Sequence, residues 1–163
     1  MVNKMEAVEK VKELLKLPQD LCHMCGKCCL VATFKGGLSY EEILNLINDS
    51  SADPDQVQGA KDFLTIFVPY YDLEKVKEIS PSFVDRVIEK LNGNDKVSFF
   101  YCKFVGSSGK CLIHEDRPHL CRMYPIPHEK TIYHEGCGFE KEGINHWNKI
   151  VEIITELENK LDK

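Results

Sequence analysis

The chain has 163 residues, enough to bury an apolar core in one domain without covalent staples. Its 43% hydrophobic and 29% charged residues are a globular composition, and a formal net charge of −5 excludes the basic balance of a general nucleic-acid binder. No run of about 18 apolar residues is present to cross a bilayer.

The N-terminal stretch MVNKMEAVEKVKELLKLPQD mixes charged and apolar residues and has neither an apolar h-region nor a cleavage site, so a cytoplasmic location is expected. Val8, Val11, Leu14 and Leu15 recur at helical spacing, predicting a helix over 4–17 that Leu17-Pro18 stops. A thiol-rich loop follows at 22–29, CHMCGKCC, with Gly26 supplying turn freedom.

The segment 39–92 reads as helical. Ser39 and Glu42 make a capping box for a helix to about Ile47. Asp53-Pro54 opens another to about Phe67, and Ser80-Pro81 a third to Leu91, with Asn92-Gly93 as its stop. Beyond it the texture changes: Val97–Tyr101 is β-branched and aromatic, and a Gly106–Gly109 turn predicts a hairpin carrying Cys102 and Cys111 on its two arms. A short helix or turn is expected over 114–124 and a further strand at 131–133. Trp147, Ile150, Val151, Ile154 and Leu157 mark one face of a helix over 145–161. The expectation is a single domain over 1–163: mainly α with a small β-hairpin, its helices packed around an irregular cysteine-rich metal centre.

Eight cysteines fall in two windows, Cys22, Cys25, Cys28 and Cys29, then Cys102, Cys111, Cys121 and Cys137. Under cytosolic reductants such clusters point to metal or catalysis rather than disulfides. Thiolates are soft ligands that select zinc, iron–sulfur clusters or cuprous copper. Cys22-x2-Cys25-x2-Cys28 matches the three-cysteine spacing of bacterial ferredoxins, although no x2-Cys-Pro follows it. Structural zinc sites more often use two CxxC pairs. Eight thiols allow two sites. Because adjacent side chains diverge in extended backbone, one site is expected to take Cys22, Cys25, Cys28 and one late cysteine, and Cys29 to join the rest.

Lys27, Arg117 and Arg122 stand beside cysteines and could offset thiolate charge or bind an anion. His23 lies inside the first window, and His114, His119, His128 and His134 in the second; the eight cysteines already suffice as ligands.

CxxCxxCC near the N-terminus, Cys102 and Cys111, then Arg117-Pro118-x-x-Cys121-Arg122-x-Tyr124-Pro125 and Cys137 together resemble the cysteine-cluster (CxxCxxCC) family of zinc- or iron-chelating proteins. The resemblance spans 22–137 and implies metal binding by all eight cysteines. Members of that family are often labelled iron–sulfur proteins. Two departures are visible: His114 stands where Tyr is usual, and Lys103 follows Cys102 where Pro is common. Neither removes a thiol.

Three functions follow as expectations. The first is an iron–sulfur cluster of the 4Fe–4S type serving electron transfer or redox chemistry with a protein partner, and no nucleic acid or membrane. The second is structural Zn2+ in an interaction module. The third is a metalloenzyme of unassigned reaction, for which no general base, phosphate loop or nucleotide fingerprint is visible.

Overall fold

The computed structural model describes residues 3–22, 26–91, 93, 96–107, 111–117, 121, 124–129 and 131–161. Its secondary structure is mainly helical with one small antiparallel sheet, as the sequence predicts. The chain divides into two compact units, 24–120 and 1–23 with 121–163. Among the described residues no helix is long and apolar enough to cross a membrane.

In the 24–120 unit, α2 (Lys27–Leu30) follows Gly26, whose φ of 77° is the left-handed turn a side chain would resist. Helix α3 (Tyr40–Asn48) starts at the expected capping box, with Ser39 accepting from the Glu42 N–H and Glu42 answering to the Ser39 N–H. Asp53 caps α4 (Pro54–Ile66), with the proline at its first position. Ile43, Ala60, Phe63 and Phe100 form the buried core here. Phe63 sits at its centre, with ring centroids 4.6 Å from Phe67, 4.9 Å from Phe100 and 5.1 Å from Phe34. Helices α5 (Leu73–Ile79) and α6 (Pro81–Lys90) pack together, and Val76, Phe83, Val84 and Val87 on them are buried.

The sheet differs from the expected hairpin. Strand β2 (Phe100–Cys102) pairs with β1 (Phe67–Pro69), in the register Phe67↔Cys102, Val68↔Tyr101 and Pro69↔Phe100. The expected partner, 111–113, contributes only a single antiparallel bridge from Cys111 to Val105. Helix α4 ends at Ile66 and the aromatic and β-branched pair Phe67-Val68 continues as strand. Pro69 is tolerated because Phe100 directs both its backbone groups the other way, exchanging N–H···O bonds of 2.8 and 2.9 Å with Ala32.

In the other unit, Asn3 and Glu6 make a capping box for α1 (Lys4–Leu14), which stops short of the predicted Leu17. Leu17 instead turns into a buried cluster with Tyr133 and Phe139, so burial wins over continuing the helical ladder. Helix α7 (Glu140–Leu161) begins five residues before the predicted start and packs against α1. The carbonyl of Leu14 accepts from His146 Nδ1 at 2.9 Å. Residues 131–133 are not a strand; the Thr131 hydroxyl donates to the Ile126 carbonyl at 2.6 Å, a local bond in place of strand pairing.

Candidate metal centre

Four thiols from three places in the sequence are neighbours in the 24–120 unit. Cys28 and Cys29 ride on α2, and the chain leaving that helix is stitched to β2 through Ala32 and Phe100. Two residues further along, β2 ends in Cys102. The turn after β2 brings Cys111 back against Val105, with the Leu112 N–H donating to the Phe104 carbonyl at 2.8 Å. The Tyr70 hydroxyl donates to the Leu30 carbonyl at 2.6 Å and fastens the end of α2 to the residue after β1.

The sulfurs interact. The thiol of Cys29 is within hydrogen-bonding reach of both Cys28 and Cys102. Cys29 donates to Cys28, and chiefly for that reason the Cys28 thiol is drawn down to about 7; nearby backbone N–H groups and the Arg117 guanidinium act in the same direction. The Cys29 thiol is pushed well up by that same bond, by burial and by charge on Cys28, Cys102 and Cys111. Burial pushes Cys102 up, partly offset by the backbone N–H of Phe104, which reaches its sulfur at 3.3 Å. Four neighbouring thiols cannot all ionise without a cation to absorb the repulsion. A cation bound among them would displace their protons.

The expected divergence of Cys28 from Cys29 presumed extended backbone, whereas residues 27–30 are helical. Neighbouring helical positions are separated by a rotation of about 100° rather than turned to opposite faces, which leaves the two sulfurs in reach of each other.

Cys22 and Cys137 are in the other unit, and both pack against the Leu17, Tyr133 and Phe139 cluster. Cys121 belongs to the same unit. The Tyr133 phenol is pushed up to about 12, first by burial and then by charge on Cys137 and Glu140. All seven described cysteines are thiols. Arg117 ends a 3-10 turn over His114–Asp116. His134 is buried, the His128 ring lies against Trp147 with centroids 4.9 Å apart, and Lys27 opens α2. Cys25, Arg122, His23, His119 and the side chain of His114 lie outside the described residues.

Tyr70 and the Phe104 amide support the site without a signature in the sequence. Neither stands at a ligand-like spacing, and both act through contacts that only the folded chain makes.

Among the described residues no three His, Cys, Asp or Glu side chains are disposed about a common metal position. The donor chemistry nevertheless fits zinc or iron: several soft sulfurs gathered in one place, next to the guanidinium that favours the Cys28 thiolate. The family model described as "Putative zinc- or iron-chelating domain", CxxCxxCC, matches residues 21–138. The chain belongs to the CxxCxxCC family. That match encloses all eight cysteines and identifies the chain as one of a metal-chelating kind, compatible with zinc or iron. No curated protein and no solved structure matches this CxxCxxCC chain.

Proposed function

We propose that this CxxCxxCC protein holds an iron–sulfur cluster of the 4Fe–4S type and exchanges electrons with a protein partner. The observation that supports the reading is the soft-sulfur pool of the CxxCxxCC pattern, of which Cys28, Cys29, Cys102 and Cys111 are neighbours in the 24–120 unit. The eight cysteines form the ligand pool, and Arg117 and Arg122 are the cations that offset its negative charge. Exposure grades across the quartet, from Cys102 buried to Cys28 exposed. A cluster bound there would have one protected side and one side open to a partner, as short-range electron transfer requires. When bound, the cluster supplies a site that gains and loses one electron. The chain's own residues supply the sulfurs, the Phe104 N–H to one of them, and the guanidinium charge.

A second reading has a specific support. Four thiols held by backbone bridges at the end of a small sheet are also the donor set of a closed structural zinc site. In that case the metal staples an interaction module.

One experiment separates the two. Anaerobically purified protein is analysed for iron, zinc and acid-labile sulfide alongside its absorption spectrum. Iron with sulfide and a broad band at about 400 nm supports the cluster. Zinc without sulfide or colour overturns it in favour of the structural reading.

A further inference from the structure

We propose that the helix pair α1 and α7 carries a dimerisation face, and that its occupant is the same face of a second copy of this chain. The inference is independent of the metal-binding reading and uses none of the cysteines.

The pairing of the two helices builds the face. The Leu14 carbonyl, at the end of α1, meets His146 in the second turn of α7. Beyond that point α7 still has a covered side, with Ile150 buried and Ile153 and Leu157 half-buried. Ala7 is buried on α1, so α1 runs back along α7 antiparallel to it, with Ala7 level with Ile153. At about 100° per residue, Met5 and Val8 stand about 75–135° round α1 from its line of contact. Val151 and Ile154 stand about 60–120° round α7 in the same sense. The same sense of rotation on two antiparallel helices is the same side of the pair, so the four side chains form one patch across the seam. Met5 is 80%, Val8 44%, Val151 42% and Ile154 40% exposed. Apolar residues gathered on one side in this way mark an interaction surface, whereas scattered ones do not. Further back on α7 the same flank is covered, since the His128 ring lies against Trp147.

Charge complementarity selects the occupant. Lys12 on α1 and Glu158 on α7 are exposed and project on the side of the patch. In the antiparallel register Lys12 is level with Asn148, so Lys12 and Glu158 lie about 7.5 Å to either end of the level of Ile153. Their midpoint therefore falls on the patch. A two-fold axis lying in the face, through that midpoint and at right angles to the line joining the charges, lays patch on patch. It also brings Lys12 of each copy onto Glu158 of the other. A partner of one charge sign would be attracted at one end of the face and repelled at the other, whereas a second copy satisfies both ends. The pair that Lys12 makes with Glu9 in its own helix, at 3.2 Å, is exposed and weak, and leaves that charge available. Two faces of this length bury less than about 1,200 Å2 together, which makes the dimer concentration-dependent.

The test is sedimentation velocity on the full chain at rising micromolar concentration, in reductant so that no disulfide links two copies. The wild type is expected to pass from monomer to dimer, and V151E/I154E to stay monomeric throughout. Lys12→Glu and Glu158→Lys each oppose like charges at both ends of the face and should weaken dimerisation at least about fivefold at low salt. K12E/E158K restores the opposition of charge and should return to within about twofold of the wild type. A wild type that is monomeric at every concentration overturns the proposal and leaves the face to a different protein. A dimer that survives V151E/I154E, or one that chelator abolishes, places the contact elsewhere and overturns it too. Single reversals without effect, or a double reversal without recovery, overturn the two-fold pairing. If V151E/I154E is not folded by circular dichroism, Val8→Lys on α1 takes its place with the same expected loss.

Discussion

The backbone N–H of Phe104 donates to the sulfur of Cys102 at 3.3 Å, at a position where Cys102 is only 3% exposed. A buried sulfur that already accepts one hydrogen bond is pre-oriented, and the bond favours its thiolate over its thiol. Cys102→Ser replaces a soft donor by a hard one in that place. The variant is expected to retain metal at least about tenfold less well against a competing chelator, the lower end of the loss seen when only a supporting partner is removed from a metal site. Unchanged metal content in C102S would place Cys102 outside the ligand set.

In metal-free protein, Cys28 is expected to be the most reactive thiol of the quartet. The hydrogen bond from Cys29 stabilises the Cys28 thiolate and draws its pKa down to about 7, and Cys28 is exposed. Alkylation of Cys28 should therefore be half-maximal at about pH 7 and fall as pH is lowered and the thiolate is protonated. Cys29→Ala removes the donor and should move that midpoint upward, toward the ordinary thiol range. Cys102, buried and shifted the other way, should label last. Mass mapping of a timed alkylation across pH reads all three expectations.

Tyr70 ties the site to the sheet. Its hydroxyl donates to the Leu30 carbonyl at 2.6 Å while its ring lies against Tyr101, with centroids 5.0 Å apart. Tyr70→Phe keeps the ring and removes the bond, so a stability loss of about 1 kcal/mol is expected. Because α2 carries two of the four thiols, the same change should also weaken metal retention. Denaturant titration of metal-free and loaded protein separates the two effects. An identical loss in both states would mean that Tyr70 holds the fold and not the site.

Gly143 lies under the Tyr133 ring. A methyl group built there would overlap the phenol oxygen and stand 2.8 Å from the ring carbon that bears it. Alanine is ordinarily better than glycine inside a helix by about 1 kcal/mol. Overpacking of this kind costs about 1–3 kcal/mol, and Tyr133 is nearly buried with little room to yield. The clash should therefore win: Gly143→Ala is expected to destabilise the unit that holds α1 and α7, read as a lower denaturation midpoint. A neutral or stabilising result would show that the ring moves aside freely.

The Ser39 capping box and the proline starts were legible because they are local. Ser39 with Glu42, and Asp53 with Pro54, satisfy helix-end N–H groups using residues at most three positions apart. The short helix carrying Cys28 and Cys29 was not legible, since four residues show no period and the preceding Gly26 reads equally well as a turn. The pairing of β1 with β2 was hidden for a related reason. Strand partners 67–69 and 100–102 are far apart in sequence, and the apolar run at the end of α4 looks like more helix until a partner is in place.

What the sequence by itself determined was the chemistry. Eight cysteines in two windows, with the CxxCxxCC spacing and the Arg-Pro-x-x-Cys-Arg segment, specify a thiol-rich member of a metal-chelating family, because ligand type and loop spacing are local properties of the chain. Tertiary structure alone decided which thiols meet. Cys28 and Cys29 are brought near Cys102 and Cys111 by backbone bonds between Ala32 and Phe100 and between Val105 and Cys111, in a unit whose core is centred on Phe63. Spacing limits how a loop can wrap a metal, whereas long-range packing sets which loops arrive together.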